Sequence, residues 1–146
     1  MPLTIRQANE NDFSVILALI QEFAVFQKTP EKVYVTLDQM KEDKDVFRCK
    51  VAEVDGVIVG FATYFFAYYS WSGKAVYLDD LYVQEKFRAQ NIGVSLLKEI
   101  IDTARNEKCK KVRWQVSSWN ENAIGFYEKM GAVIDRIEIN CDLSLQ

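Results

Sequence analysis

Apolar and polar positions change period several times along the chain, and each change marks an element. Leu3 to Gln7 alternates weakly, as a first strand does. Asn9 or Asn11 then offers an N-cap, after which Phe13, Ile16, Leu17, Ile20, Phe23 and Ala24 form one apolar stripe, predicting a helix that ends near Phe26. The polar segment Gln27 to Thr36, with Pro30, predicts a loop, and Leu37 to Lys44 a short second helix. Phe47 to Val54, then Asp55-Gly56, then Val57 to Tyr68 read as strand, tight turn and strand, the strongest hairpin signal present. Trp71, Ser72 and Gly73 make a second turn before a central strand, Tyr77 to Val83, which is apolar or aromatic except for Asp79 and Asp80.

A short polar loop carrying Arg88 and Gly93 follows. From Val94 onward Leu96, Leu97, Ile100, Ile101 and Ala104 recur at helical spacing, predicting a long helix to about Lys108. Lys111 to Ser117 alternates as a further strand. Asn120 can cap a shorter helix ending at Met130, with Gly131 as its stop, and Ala132 to Leu143 returns as one or two terminal strands. The order β-α-α-β-β-β-α-β-α-β predicts an α/β fold, a central mixed sheet with helices on both faces.

Composition narrows the function. A chain of 146 residues, 49% hydrophobic, suffices for one compact domain, so residues 1–146 are expected to carry both binding and chemistry in a single domain. No 18-residue apolar run occurs and the start, MPLTIRQANEND, lacks a basic and apolar leader, so the expected setting is cytoplasmic with no membrane partner. Cys49, Cys109 and Cys141 are an odd number at unrelated spacings, against a disulfide framework or zinc site. With 18 basic and 21 acidic residues, a formal charge of −3 does not point to nucleic acid. The absence of histidine removes His-dependent triads and most metal sites. No metal is expected, and acid–base chemistry must use Tyr, Glu, Asp, Cys or water.

The stretch YLDDLYVQEKFRAQNIGVSLL, Tyr77 to Leu97, reads as strand, tight loop and helix, an arrangement suited to an anion. The first N–H groups of a helix have no internal partner, and the aligned peptide dipoles leave roughly half a positive charge there. Gly93 keeps side-chain bulk out of the approach, Asn91 tolerates a left-handed conformation, and Arg88 can add a charge-assisted contact.

The run Arg88-Ala89-Gln90-Asn91-Ile92-Gly93 resembles the acyl-CoA pyrophosphate loop of the GNAT N-acetyltransferases, (Q/R)-x-x-G-x-(G/A), with Asn91 where the pattern has glycine. GFATYFFAYYSWSGKAVYLDDLYV (Gly60 to Val83) and WNENAIGFYEKMGA (Trp119 to Ala132) resemble the neighbouring motifs of the subfamily containing the diamine (spermidine/spermine) and thialysine acetyltransferases. That resemblance covers nearly the whole chain and implies the acyl-CoA N-acyltransferase fold, acetyl-CoA as cosubstrate, a small-molecule amine as acceptor and a homodimer with the C-terminal strands near the interface.

Residue by residue, it implies that the backbone of Leu81, Tyr82 and Val83, the loop Arg88, Ala89, Gln90, Asn91, Ile92, Gly93 and Val94, and Asn120 with Asn122 bind CoA, and that Glu22, Phe26, Gln27 and Trp71 line the amine pocket. Acetyl transfer needs the acceptor amine neutral, and stripping an amine of pKa near 10.4 at pH 7 costs roughly 4.6 kcal/mol. Asp79 matches an acid that contacts the amine, usually through water, and Asp80 the acid that follows it; as neighbours on a strand they are expected to face opposite ways. Their plain alternative is satisfaction by backbone, Arg88 or Lys74. Spacing alone makes Tyr127, with Ala123, Phe126 and Met130, a core aromatic; by resemblance it is the general acid to the departing thiolate.

Tyr69-Ser70-Trp71 departs from the polyamine enzymes, which carry Asp-Pro-Trp there, and YYSW is closer to the thialysine type. The expected acceptor is therefore a thialysine-like amino acid or a short amine. A protein amine acceptor, or an acyl-CoA sensor without turnover, are the alternatives.

Overall fold

The structure is a computed structural model and describes residues 2–145. It contains β1 (Leu3–Gln7), α1 (Phe13–Phe26), α2 (Leu37–Glu42), β2 (Arg48–Val54), β3 (Val57–Tyr69), β4 (Gly73–Val83), α3 (Ile92–Asn106), β5 (Lys111–Arg113) and α4 (Glu121–Lys129). These fall into two compact units, Met1–Trp114 with the whole sheet and α1 to α3, and Gln115–Gln146 with α4.

In the first unit the strands lie in the order β1-β2-β3-β4-β5. β1 to β4 pair antiparallel and β5 joins β4 in parallel, so the sheet is mixed as the element order predicts. Register decides which face each helix covers, because directly paired residues share a face. Val51 opposes Phe61 and Phe61 opposes Tyr82. These residues form a core with Phe13, Ile16 and Leu19 of α1 and Met40 of α2. On the other face Lys50 meets Glu99 of α3 at 3.6 Å, and Leu81 and Val83 lie beside Gly93. Helices therefore cover both faces. Leu19, outside the stripe read from periodicity, is buried in α1; α3 buries Ile92, Leu96, Leu97, Ile100 and Ala104. At about 1.5–3 kcal/mol per fully buried aliphatic side chain, this docking outweighs intrinsic helix propensity.

Several boundaries differ from the sequence reading. A 3-10 turn, Glu10–Asp12, precedes α1, and Asn9 is its cap: its side chain accepts from the Asn11 N–H at 2.9 Å while the Asp12 carboxylate accepts from the Asn9 N–H at 2.8 Å. Arg6 donates to Asp12 at 2.8 and 2.9 Å and to Glu53 at 2.6 Å, which holds the Asp12 carboxyl below its ordinary range and ties β1, β2 and the start of α1 together. β2 starts at Arg48, β4 at Gly73 and α3 at Ile92; α2 stops at Glu42 and α3 at Asn106. Gly131, at φ +99, follows α4 as its stop.

Two expectations fail. The strand at Lys111 extends only to Arg113, and Ala132 to Leu143 forms no strand. Val133, Ile137, Ile139, Leu143 and Leu145 are 85–94% exposed. Alternation marks a strand only where a neighbour supplies ladder partners, and none of the described strands pairs with residues 132–145. No described helix is long and apolar enough to cross a membrane.

Candidate active site

The site is built around a break in β4. Tyr64 of β3 opposes Leu78, but Thr63 opposes Asp80, so Asp79 is an extra residue on β4. Such a bulge bends its strand and increases local twist. The ladder to β5 ends at Tyr77 opposite Arg113, and from Leu78 to Val83 the strand pairs with β3 alone. Among the described residues no strand therefore pairs with the other backbone edge of Leu81, Tyr82 and Val83.

The bulge also overturns the expectation that Asp79 and Asp80 face opposite ways. Asp80 shares the face of Thr63, and so of Phe61 and Tyr82; counting from Leu78 on the other face, Asp79 turns to that side too. Strand alternation fails at the one position where an extra residue is inserted. Asp79 is exposed and Asp80 half-buried. Partial desolvation pushes both carboxyls up, and the neighbouring Asp79 charge helps to carry Asp80 to about 6. The Asp80 N–H donates to Thr63 Oγ1 at 3.1 Å, fixing the backbone at the bulge. Neither carboxylate makes an ion pair with Arg88 or Lys74: Lys74 meets Glu107, and Arg88 turns elsewhere.

Beyond β4 the loop is shaped for an anion. Ala89 at φ +63 and Asn91 at φ +61 both adopt the left-handed region, so Asn91 takes the conformation for which the motif uses glycine. Asn91 makes no side-chain cap, which leaves the first-turn N–H groups of Ile92, Gly93 and Val94 without a capping acceptor. Gly93 lies inside that first turn, and a Cβ there would sit 3.6 Å from Leu81 Cδ2, in ordinary contact. Its role is thus an unobstructed helix face, since its backbone is ordinarily helical. Gly60 has the sharper demand, because a Cβ there would meet the Tyr82 carbonyl oxygen at 2.8 Å. Gln90 is exposed in the same loop.

Arg88 does not reach out from that loop. Its Nε donates to the Val83 carbonyl at 3.0 Å, and its guanidinium lies 4.5 Å from the Phe26 ring centroid and 5.6 Å from that of Tyr82. Tyr82, expected to contribute backbone alone, donates its hydroxyl to Glu22 at 2.5 Å, and burial together with that carboxylate pushes its phenol up to about 12. Gln84, which the sequence does not single out, donates to the same carboxylate at 3.2 Å. Phe23 stacks on Tyr82 at 4.9 Å. Glu22 and Phe26 are therefore joined to β4 and the loop, Gln27 caps the end of α1, and an open cavity of about 350 Å³ is lined by Glu22, Gln84, Glu85 and Lys86.

Trp71 is not brought to this cluster. It is wholly exposed in the β3–β4 turn, at the far end of a strand of 11 residues from Tyr82 and Val83. In the second unit, Asn120 spends its side chain on capping α4, accepting from the Ala123 N–H at 3.2 Å, and Asn122 is exposed in the first turn. Tyr127 is half-buried, with the Phe126 ring 5.8 Å away edge-on, and desolvation pushes its phenol up. The apolar face read for α4 is only partly borne out: Ile124 is buried, whereas Phe126 and Met130 are exposed.

Known proteins agree with this architecture. The profile described as "Acetyltransferase (GNAT) family" matches residues 13–132. Thialysine N-epsilon-acetyltransferase of Mus musculus is 34% identical over 88% of this chain and 82% of its own length. The human spermidine/spermine N(1)-acetyltransferase-like protein 1 is also 34% identical over 88% of this chain, which spans 20% of that protein. Among solved structures, an aminoglycoside N-acetyltransferase in complex with CoA superposes with a TM-score of 0.75 at 19% identity, covering 97% of this chain and 95% of that one. A mixed sheet broken at β4, an uncapped helix behind a left-handed loop, and these matches lead to one assignment: the chain belongs to the acetyltransferase (GNAT) family.

Proposed function

We propose that residues 1–146 act as a single N-acetyltransferase domain that moves an acetyl group from acetyl-CoA to the primary amine of a small molecule, a thialysine-like amino acid or a short diamine, by direct attack in a ternary complex. The observation that carries this reading is one continuous run of β4 and α3. It begins with a carboxylate pair of raised pKa at the bulge, continues as a strand edge at Leu81, Tyr82 and Val83 that no other strand covers, and ends at the uncapped first turn of α3. Such an edge suits the amides of an extended ligand, and such a turn suits its phosphates. The amine-acetylating relatives support the acceptor class. Acceptor-dependent release of CoA thiol from acetyl-CoA tests the proposal.

Acetyl-CoA supplies an acyl group already activated as a thioester, so no covalent intermediate on the protein is required. The chain's own work is to bind and deprotonate an amine. Asp79 captures the ammonium and positions a water that takes its proton; Asp80 adds the second negative charge; Glu22, Phe26 and Gln27 are proposed to line the acceptor path. Tyr127 is proposed to supply the proton to the departing thiolate, and Asn120 and Asn122 to contact CoA.

Arg88 is expected to leave the Val83 carbonyl when CoA binds and to contact a phosphate. Arg88→Ala should then raise the KM for acetyl-CoA about 10–100-fold, the worth of one charge-assisted hydrogen bond, with kcat less affected. An unchanged KM in steady-state kinetics would leave Arg88 as a brace between Val83 and Phe26.

The five exposed apolar side chains of residues 133–145 support a homodimer in which this segment lies against a second copy. Light scattering should give twice the chain mass, and a monomer at micromolar concentration would overturn it. The free cysteines fit a reducing, cytoplasmic setting, which recovery from an oxidising compartment would contradict.

A further inference from the structure

Beside the carboxylates, on the same sheet face, stands a cluster of opposite sign that the reading above leaves unused. Lys111 of β5 opposes Ala75 of β4, Arg113 opposes Tyr77, Tyr77 opposes Phe65, and Tyr69 opposes Gly73, so Lys111, Arg113, Tyr69, Tyr77 and Phe65 share one face. Because of the bulge this is the face to which Asp79 and Asp80 turn. Lys111 Nζ lies 4.4 Å from the Tyr69 ring centroid, and so does the Arg113 guanidinium carbon. Phe65 and Tyr77 stack at 5.0 Å and 14° between this pair and the bulge.

Two cations share one ring, and their charges repel. Among the described residues neither has an acidic partner within ion-pair distance. The tyrosine face offers partial compensation. An anion bridging the two would complete it, and a planar carboxylate matches the fork of a guanidinium. The separation also fits the reaction: Arg113 stands opposite Tyr77 and Lys111 opposite Ala75, two and four residues along β4 from Asp79, on the order of 7–13 Å, a span that an extended lysine with a hydrogen bond at each end covers.

We infer that Lys111 and Arg113, held on Tyr69, form a carboxylate subsite that selects a free amino acid as acceptor, its side-chain amine reaching Asp79 and Asp80 along the Phe65–Tyr77 wall. The inference rests on the proposed acetyl transfer and names its substrate class. Diamines and polyamines have no group for the cationic end and meet like charge there.

The experiment compares kcat/KM for matched pairs, lysine against 1,5-diaminopentane and ornithine against 1,4-diaminobutane, in the unaltered chain and in Lys111→Gln, Arg113→Gln and the double variant. The amino acid should be preferred in the unaltered chain, and the preference should fall about tenfold or more in the double variant. Arg113→Lys, which keeps the charge, should retain most of it. Circular dichroism and acetyl-CoA affinity identify any variant that has failed to fold, and the single variants then carry the comparison. A preference that survives loss of both cations overturns the subsite, as does a native preference for the diamines, and in both cases acetyl transfer stands. If no amine of either kind reacts, acetyl transfer itself fails and the subsite falls with it.

Discussion

Tyr127→Phe is expected to lower kcat by about 10²–10⁴-fold while changing acetyl-CoA affinity by no more than about twofold. The phenol is half-buried on α4, with Phe126 edge-on to its ring, and desolvation raises its pKa, so it is protonated at neutral pH and able to give a proton. As the C–S bond of the tetrahedral intermediate breaks, the departing sulfur, of ordinary thiol pKa near 8.5, takes that proton, so that collapse expels the thiol and not the amine. Removing one hydroxyl leaves the ring and the helix packing in place. Turnover and affinity are measured separately, by single-turnover kinetics and by calorimetric titration of acetyl-CoA. Equal losses in both would make Tyr127 a structural residue, and unchanged turnover would assign the proton to water.

The second large effect concerns the carboxylate pair. Replacing both, as Asp79→Asn with Asp80→Asn, should lower kcat/KM for the amine by about 10²–10⁴-fold at pH 8, since it removes both the charge that holds the ammonium and the acceptor that orders a water. Asp80, coupled to Asp79, should set an acid limb. With its carboxyl raised to about 6, kcat/KM should rise as pH climbs through about 6, and Asp80→Asn should flatten that limb. Because the two acids interact, the limb belongs to the pair.

Stability should move the other way. The ordinary value is 3.8 and the folded value about 6, so between them the folded chain holds more proton than the unfolded one, and stability falls as pH rises across that window. Urea midpoints of the native chain should decline from pH about 4 to about 7, and Asp80→Asn should reduce the slope. A rising midpoint contributed by Asp80 would mean that its carboxyl is lowered by a partner.

The hairpin at Asp55-Gly56, the stripes of α1 and α3, the left-handed Asn91 and the stop at Gly131 were all legible because each rests on local chemistry. So was the mixed sheet, which follows from element order. What was hidden depends on partners distant in sequence. The bulge at Asp79 arises from pairing with Thr63 and Tyr64, and strand periodicity carries no trace of it. Arg88 turns back to Val83 and Phe26, and Tyr82 reaches Glu22 across 60 residues, contacts that no spacing rule encodes. Residues 132–145 read as strand because their apolar positions alternate, but alternation without a ladder partner gives no strand. Trp71 has the residue type of an amine-stacking group, yet stands exposed in a turn far along β4 from Tyr82.

The most direct test is CoA thiol release from acetyl-CoA across a panel of amines: thialysine, lysine, ornithine, diaminopropane, putrescine, spermidine and spermine, with a blank lacking acceptor. Acetyl transfer to a small-molecule amine predicts turnover well above the blank for thialysine or another of the shorter amines. Release no faster than the blank with every amine, while acetyl-CoA still binds, would contradict it and turn attention to a protein amine or to acyl-CoA sensing without turnover.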